Sequence, residues 1–308
     1  MNLAQFEVLF FLPFVFASII SYIVTRPVIW LSWRLGLVDD PKKNRHPKVI
    51  HDLPIARGGG LAIFISLLLS TLIFLPLDQH VKGIIAGAMV LLVVGILDDK
   101  YNISPYIRLF LQFVAAGIPI AAGIGIAYIS NPFAPPGLID LSYPRVYIEL
   151  FGETRSIWIL SDTLAIFWIV TLMNFLNWGA KGVDGQLTGV VGIAAVIIAF
   201  ASLRFSADIT EWPVIILAAI VAGSFFGFLP WHIYPQKIMP SFSGSNLGGY
   251  MLGILSILTT TKVGILAVVL GVPLIDSVYT IIRRVKSGKS PVWGDRGHLH
   301  HRLLDSGW

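Results

Sequence analysis

The sequence contains no cysteine and very little charge, and both absences limit what the protein can be. Without cysteine the chain has neither a disulfide framework nor a thiolate metal site. Only 13% of its 308 residues are charged, whereas 56% are hydrophobic, and the mean hydropathy is +0.79. That balance excludes a water-soluble globular domain and is typical of a protein that crosses the membrane several times. The sequence shows no internal repeat and no second, soluble domain.

Nine apolar segments have the length of a membrane span or nearly so, which predicts an all-α, polytopic bundle of about nine to ten transmembrane helices. They are 6–28, 60–77, 81–97, 107–129, 157–176, 190–203, 212–229, 247–260 and 263–282. The first segment lacks the small-residue cleavage site of a removable signal peptide. We therefore expect residues 1–308 to form a single integral membrane domain whose site is built from its loops.

The lysines and arginines lie mostly on one side of this predicted bundle. With the N-terminus outside, 17 of the 22 basic residues fall in loops on one face. Cytoplasmic loops carry the excess of positive charge in membrane proteins, so this face is predicted to be cytoplasmic. The net charge of +5 therefore indicates the orientation of the protein in the membrane and a surface for anionic lipids or ligands. It does not predict nucleic-acid binding. On the opposite, periplasmic face, alternating residues at 138–141 and 146–150 predict a short β-hairpin.

Asp98 and Asp99 end the third apolar segment abruptly, at the predicted membrane surface. They stand at the C-terminal end of a helix, where the macrodipole disfavours negative charge, and adjacent carboxylates repel each other unless a cation shares the site. Mg²⁺ is the natural cation, because it is held by one or two carboxylates together with substrate phosphates. The alternative is a solvated turn in which Lys100 supplies the local counter-charge.

Further polar features lie on the same face, and each allows a structural as well as a functional interpretation. The glycine triplet at 58–60 permits close approach of either a ligand or another helix. Asn174 and Asn177 share a helix face, where amides form interhelical hydrogen bonds or line a site. Asp184 is either an N-cap or a third oxygen ligand beside the aspartate pair. The Ser/Gly-rich turn at 241–249 either offers N–H groups to an anion or is a flexible turn.

The last apolar segment and the residues after it carry the densest cluster of ionisable groups. Asp276 lies within the apolar segment, where an ionisable group has a functional or a packing role. Five residues then form a basic tail, namely Arg296, His298, His300, His301 and Arg302. A surface tail and a zinc site are alternatives. The carboxylates elsewhere favour a hard metal, and imidazoles beside guanidiniums are suited to a pyrophosphate.

Together these features describe phosphoryl transfer at a membrane face, from a soluble nucleotide to a lipid. The chain resembles the polyprenyl-phosphate N-acetylhexosamine-1-phosphate transferases of bacterial envelope synthesis (bacterial glycosyltransferase family 4) over nearly its whole length. Four patches match in order, at 40–63, 95–108, 174–185 and 284–304. The last patch is the most specific, and it looks like the N-acetylglucosamine-1-phosphate transferase branch.

The resemblance implies a role for each matching residue. Asp98 and Asp99 would be catalytic and would bind Mg²⁺, or alternatively Mn²⁺, together with Asp184. Undecaprenyl phosphate or a similar polyprenyl phosphate would attack the β-phosphate of a UDP-N-acetylhexosamine and release UMP, either directly or through an aspartyl-phosphate. The substrate-binding residues would be Lys48, His51, Arg57, Asn177, Arg296, His298, His300, His301 and Arg302, and to these we add Lys181, which departs from the family pattern. The family also implies the bacterial inner membrane, a cytoplasmic site, a first step towards an envelope glycopolymer such as lipopolysaccharide, and a homodimer.

Two departures from the family pattern bear on the metal site. Lys181 stands where the family usually has the first aspartate of its third-loop motif. Phe242 stands where it usually has an aspartate before Ser-Gly-Ser. The predicted site thus loses two carboxylates and gains an ammonium group, which we expect to pair with a donor phosphate. The alternatives are a catalytically inactive homologue and a transporter of a nucleotide-sugar or divalent cation, which would need mid-membrane ionisable residues besides Asp276.

Overall fold

The computed structural model describes residues 3–42, 53–131, 137–150, 153–180, 183–259 and 270–288, together with Leu299, Arg302 and Ser306. These residues are mainly helical, as predicted. Over them we number nine helices, α1 (Leu3–Arg34), α2 (Gly59–Phe74), α3 (Gln79–Tyr101), α4 (Pro105–Ala121), α5 (Ile159–Gly179), α6 (Gln186–Leu203), α7 (Trp212–His232), α8 (Ser241–Leu258) and α9 (Gly271–Lys286). The strands are β1 (Val38–Asp39), β2 (Ile55–Ala56), β3 (Tyr128–Ser130), β4 (Leu138–Asp140), β5 (Arg145–Leu150) and β6 (Glu153–Trp158).

Five of the described helices are long and apolar enough to cross a membrane, so the chain is a multi-pass membrane protein. They are α1, α3, α5, α6 and α7, the last counted with the 3₁₀ turn Ile209–Glu211 that precedes it. Helices α2 and α4 are apolar but shorter. The prediction of nine to ten spans therefore remains a prediction, and much of the first half of its ninth segment lies outside the described residues.

Helix α8 is the central helix of the described bundle. Every residue from Ser241 to Ser256 is buried, and the helix packs against α2, α3, α5, α6 and α7. Apart from Phe242, its first turn carries only serines and a glycine, which lets neighbouring helices approach closely. The Ser/Gly-rich turn of the sequence analysis is therefore the buried start of a helix.

Helix α3 carries the aspartate pair inside its last turn. The helix begins at Asp78, whose side chain accepts a hydrogen bond from Val81 N at 2.8 Å. It ends at Asn102, which is left-handed at φ 50° and donates its N–H to the Asp98 carbonyl. Because Asp98 and Asp99 are helical and buried, the alternative of a solvated turn is wrong.

Two glycines allow α2 and α3 to meet at the start of α8. A Cβ added at Gly60 of α2, or at Gly95 of α3, would overlap Ser243. Gly58 is left-handed at φ 85° and forms the N-cap of α2. At Gly60 the structure thus shows the close helix approach that was one of the two interpretations of the glycine triplet.

The outer segments differ from the sequence expectation in two ways. The fourth apolar segment is helical only to Ala121, and its remainder passes through a left-handed glycine, Gly123 at φ 104°, towards β3. The two predicted hairpin strands form but do not pair with each other. Strand β4 pairs with β3, and β5 pairs with β6, because β6 supplies a six-residue partner that the sequence pattern had not revealed.

Candidate functional site

Asp98 and Asp99 are buried at the end of α3, and each is paired with an arginine from another element. The two residues are 1% and 5% exposed. Arg108 Nη1 lies 3.2 Å from Asp98 Oδ2, and Arg57 Nη2 lies 3.0 Å from Asp99 Oδ1. The guanidinium groups supply the cationic partners that two adjacent buried carboxylates require.

Arg57 is held in place through its backbone. Its N–H donates to the Leu37 carbonyl at 2.8 Å, and its carbonyl accepts from Ser32 Oγ at 2.7 Å. The neighbouring strand β2 pairs with β1, and Met239 N donates to the Ala56 carbonyl at 2.9 Å. The segment between α1 and α2, which we call the first loop, is therefore joined both to the end of α1 and to the segment that leads into α8.

Arg108 lies in the first turns of α4 and faces two partners. Besides its ion pair with Asp98, its guanidinium carbon lies 5.2 Å from the centre of the Phe242 ring. This distance allows a cation–π interaction. The aromatic side chain at 242, where the family usually has a carboxylate, thus contacts a cation that already neutralises Asp98.

The first turn of α8 points at Asp99. Phe242 N and Ser243 Oγ each lie 3.4 Å from an oxygen of its carboxylate. The N-terminus of a helix favours negative charge, so α8 supports the ionised aspartate. The turn is strained, because Ser241 is a non-glycine residue at φ 57°.

The residues present fit a hard metal ion in part. Asp98 Oδ1 is buried and accepts no hydrogen bond from the residues that the structure describes. A buried oxygen without a hydrogen-bond donor is available to bind a ligand. Carboxylate oxygens are the donors that Mg²⁺ prefers. Within the described ranges no group of three or more His, Cys, Asp or Glu residues is placed to hold a metal. A metal shared by Asp98, Asp99 and Asp184 remains a prediction.

Asp184 is not the N-cap of α6, which was one of the two interpretations. Gly185 takes that position without a side-chain cap. Asp184 Oδ1 instead accepts a hydrogen bond from Gln236 Nε2 at 2.6 Å. Nearby, Thr188 Oγ1 and His232 Nδ1 lie 3.0 Å apart, so the end of α7 and the segment after it support this turn.

Asn174 and Asn177 both form hydrogen bonds between helices, as the structural interpretation predicted. Asn177 Oδ1 accepts from Ser245 Oγ of α8 at 3.0 Å, and Asn174 Nδ2 donates to Gln112 Oε1 of α4 at 2.8 Å. Asn177 thereby lies beside Ser245, two residues after the serine of α8 that faces Asp99. A role in substrate binding stays a prediction.

The described part of the tail contacts α9. Asp276 is buried, and its Oδ1 accepts from Leu299 N at 2.7 Å. The exposed Arg302 donates from Nη2 to the Tyr279 hydroxyl at 3.3 Å. Asp276 therefore has a packing role in joining the tail to α9. The other predicted site residues lie outside the described residues: Lys48, His51, Lys181, Arg296, His298, His300 and His301.

Three residues at the site received no role in the sequence analysis. Arg108 is the fourth residue of α4 and was matched only as part of a motif. Ser243 and Gln236 are distant in sequence from the carboxylates that they contact. For Arg108, its position in the same motif as the aspartate pair was a signal. For Ser243 and Gln236, the sequence contains no signal that we recognise.

Comparison with known proteins assigns the chain to a family. A profile described as glycosyl transferase family 4 matches residues 81–260, which include the aspartate pair and the first turn of α8. The chain belongs to glycosyl transferase family 4. This confirms the resemblance identified from the four motifs.

Curated relatives match this family member along most of its length. It is 30% identical over 299 residues to a probable undecaprenyl-phosphate N-acetylglucosaminyl 1-phosphate transferase of Bacillus subtilis, covering 94% of this chain and 76% of the relative. It is 28% identical over 325 residues to a decaprenyl-phosphate N-acetylglucosaminephosphotransferase of Mycobacterium tuberculosis, covering 94% and 74%. A third relative, an undecaprenyl-phosphate alpha-N-acetylglucosaminyl 1-phosphate transferase of Yersinia pestis, is 25% identical and covers 100% and 79%.

Proposed function

We propose that the protein is a phosphoglycosyltransferase that moves N-acetylglucosamine 1-phosphate from a UDP-sugar to undecaprenyl phosphate and releases UMP. The observation that carries the proposal is the aspartate pair, which is buried at the end of an apolar helix and paired with Arg57 and Arg108. Relatives named for this transfer to a polyprenyl phosphate support it. The site would face the cytoplasm of a bacterial inner membrane, where nucleotide-sugars are made, and the product would begin an envelope glycopolymer.

The chain's own groups suit the charge changes of this reaction. Donor and acceptor both bring phosphates, so a site for them needs cations near its carboxylates. Arg57 and Arg108 would contact phosphate oxygens as well as the aspartates, because guanidinium groups have donors beyond those used in one ion pair. A divalent cation on Asp98 and Asp99, when bound, would neutralise charge on the transferring phosphoryl group.

The test is UMP release by purified protein given UDP-N-acetylglucosamine, undecaprenyl phosphate and Mg²⁺. We expect release that requires the lipid and falls at least about 100-fold in Asp99→Asn, the loss typical of removing one charged group from such a site. Asp78→Asn is the matched control, because it makes the same change at the other end of α3, where asparagine still caps the helix. It should leave release unchanged.

The result that would contradict the proposal is a folded wild-type protein that releases no UMP from any UDP-N-acetylhexosamine. That result would favour the inactive homologue, and the missing carboxylate at Phe242 would be its structural reason. Release without lipid would indicate a hydrolase and would equally overturn the proposed acceptor.

A further inference from the structure

Two buried amide side chains and the half-buried Asn174 form a hydrogen-bonded chain between helices of the site, and the proposed reaction does not use them directly. Asn174 of α5 donates to Gln112 Oε1 of α4 at 2.8 Å, and Gln112 Nε2 donates to Asn246 Oδ1 of α8. Asn246 Nδ2 then donates to the Phe242 carbonyl at 2.8 Å. Gln112 and Asn246 are 1% and 0% exposed. We call these three residues the amide network.

Two members of the network lie one helical turn from residues that contact the carboxylates. Gln112 lies one helical turn after Arg108, which pairs with Asp98. Asn246 lies one turn after Phe242, whose N–H points at Asp99 from 3.4 Å. The network therefore joins helices α4, α5 and α8, and its members on α4 and α8 lie one turn from the residues that contact the aspartates.

Stability alone gives a poor reason for these amides. Gln112 and Asn246 lie among tightly packed helices, where apolar side chains of similar volume would fill the same space without the cost of desolvating an amide. Buried polar chains specify one arrangement of their helices, because every alternative leaves a donor or an acceptor unpaired. A fixed arrangement matters most where the backbone itself must be placed accurately.

The first turn of α8 is such a place. Ser241 is held at φ 57°, a conformation that a serine keeps only when its surroundings fix it. The Phe242 carbonyl accepts from Asn246 on the inner side, and the Phe242 N–H faces Asp99 on the outer side. Ser243, the other donor to Asp99, lies in the same turn.

We propose that Gln112 and Asn246 are positioning residues, which fix the first turn of α8 so that Phe242 N–H and the Ser243 hydroxyl reach Asp99. They touch neither substrate nor the reacting atoms and act through the turn. The effect of this role on UMP release rests on the transferase function proposed above. Its effect on the structure of the turn does not.

The sharpest test is the double variant Gln112→Leu/Asn246→Ala, which keeps the combined side-chain volume almost unchanged. It also leaves the remaining described partners paired. Asn174 Nδ2 keeps its bond to the Val170 carbonyl at 2.9 Å, and the Phe242 carbonyl keeps Ser245 Oγ at 3.1 Å. Replacing both partners of a buried bond by apolar groups of similar shape is close to neutral for stability. We therefore expect a folded protein with nearly the wild-type melting temperature.

Two readouts separate positioning from simple packing. Hydrogen–deuterium exchange of residues 241–246 should be at least about tenfold faster than in wild type, because the turn opens more often. UMP release should show kcat at least about tenfold lower with little change in the KM for the UDP-sugar, as expected when only transition-state contacts are lost. If the double variant cannot be purified folded, Asn246→Ala alone is measured by the same exchange experiment.

Ser66→Ala/Ser224→Ala is the matched control. These serines form another buried polar pair, with hydroxyls 2.9 Å apart between α2 and α7, and the other described partners of these residues lie on α1. This variant should leave both the exchange at 241–246 and kcat unchanged. A double amide variant with wild-type exchange and kcat would overturn the positioning role. If wild-type protein releases no UMP, the transferase proposal fails. The hydrogen–deuterium exchange of residues 241–246 alone then tests the positioning role.

Discussion

Arg57 and Asp99 form an ion pair that joins the first loop to the end of α3 across 42 residues of chain, with 3.0 Å between Nη2 and Oδ1. The Asp99 side chain is 0% exposed and that of Arg57 is 18% exposed. Arg57, from the segment before α2, thus neutralises Asp99, and Arg108 of α4 neutralises Asp98.

Removing Arg57 should damage both the site and the fold. We expect Arg57→Gln to lower UMP release about 100-fold, since a lost hydrogen bond to a charged group costs up to about 3 kcal/mol. Its melting temperature should also fall, because a buried carboxylate loses its partner. Arg34→Gln, at an exposed arginine that stacks on Trp30, is the control. Equal release by both variants would remove Arg57 from the site.

Adding one methyl group at Gly95 should displace the first turn of α8. A Cβ there would approach the Ser243 backbone nitrogen to 2.9 Å and overlap its other atoms. We expect Gly95→Ala to cost about 1–3 kcal/mol of stability, as overpacking does, and to lower kcat through the lost contacts to Asp99. Gly117→Ala is the control, because a Cβ at Gly117 meets nothing within 4 Å. A Gly95→Ala protein with wild-type melting temperature and kcat would contradict the packing seen here.

Gln236 should act on the reaction only through Asp184. Its Nε2 donates to Asp184 Oδ1 at 2.6 Å, and supporting partners of this kind are worth about 10–100-fold in metal affinity or activity. We expect Gln236→Leu to lower UMP release about tenfold. In an Asp184→Asn background the same change should have little further effect, and the double-mutant cycle measures this directly. Fully additive losses would show that Gln236 acts elsewhere.

Restoring a carboxylate at Phe242 should strengthen the metal dependence. The ring lies beside Arg108, so an aspartate placed there has a cation within reach and need not unfold the protein. We expect Phe242→Asp to lower the Mg²⁺ concentration for half-maximal UMP release at least about tenfold, because affinity rises with the number of ligand charges. Phe242→Asn provides the uncharged comparison. An unchanged Mg²⁺ requirement in Phe242→Asp would place residue 242 outside the metal site.

The amino-acid sequence by itself determined the class of the molecule, its family and the position of its aspartate pair. Apolar length specifies membrane helices, because a polar backbone can cross lipid only when its hydrogen bonds are internal. The abrupt end of one apolar segment in Asp98 and Asp99 then locates the carboxylates at a helix end, and the motif spacing identifies the family. These are properties of local sequence, and the structure and the comparisons confirm them.

Only the tertiary structure decided which groups meet the carboxylates. Arg57, Arg108 and Ser243 come from three separate segments, and no local pattern encodes their contacts with Asp98 and Asp99. The same holds for Asp184, for which the sequence allowed either an N-cap or a metal ligand and whose side chain accepts a hydrogen bond from Gln236. Ion pairs and amide contacts between helices depend on how closely the helices pack, which glycines such as Gly60 and Gly95 permit. That packing is a property of the whole bundle, and a single segment cannot reveal it.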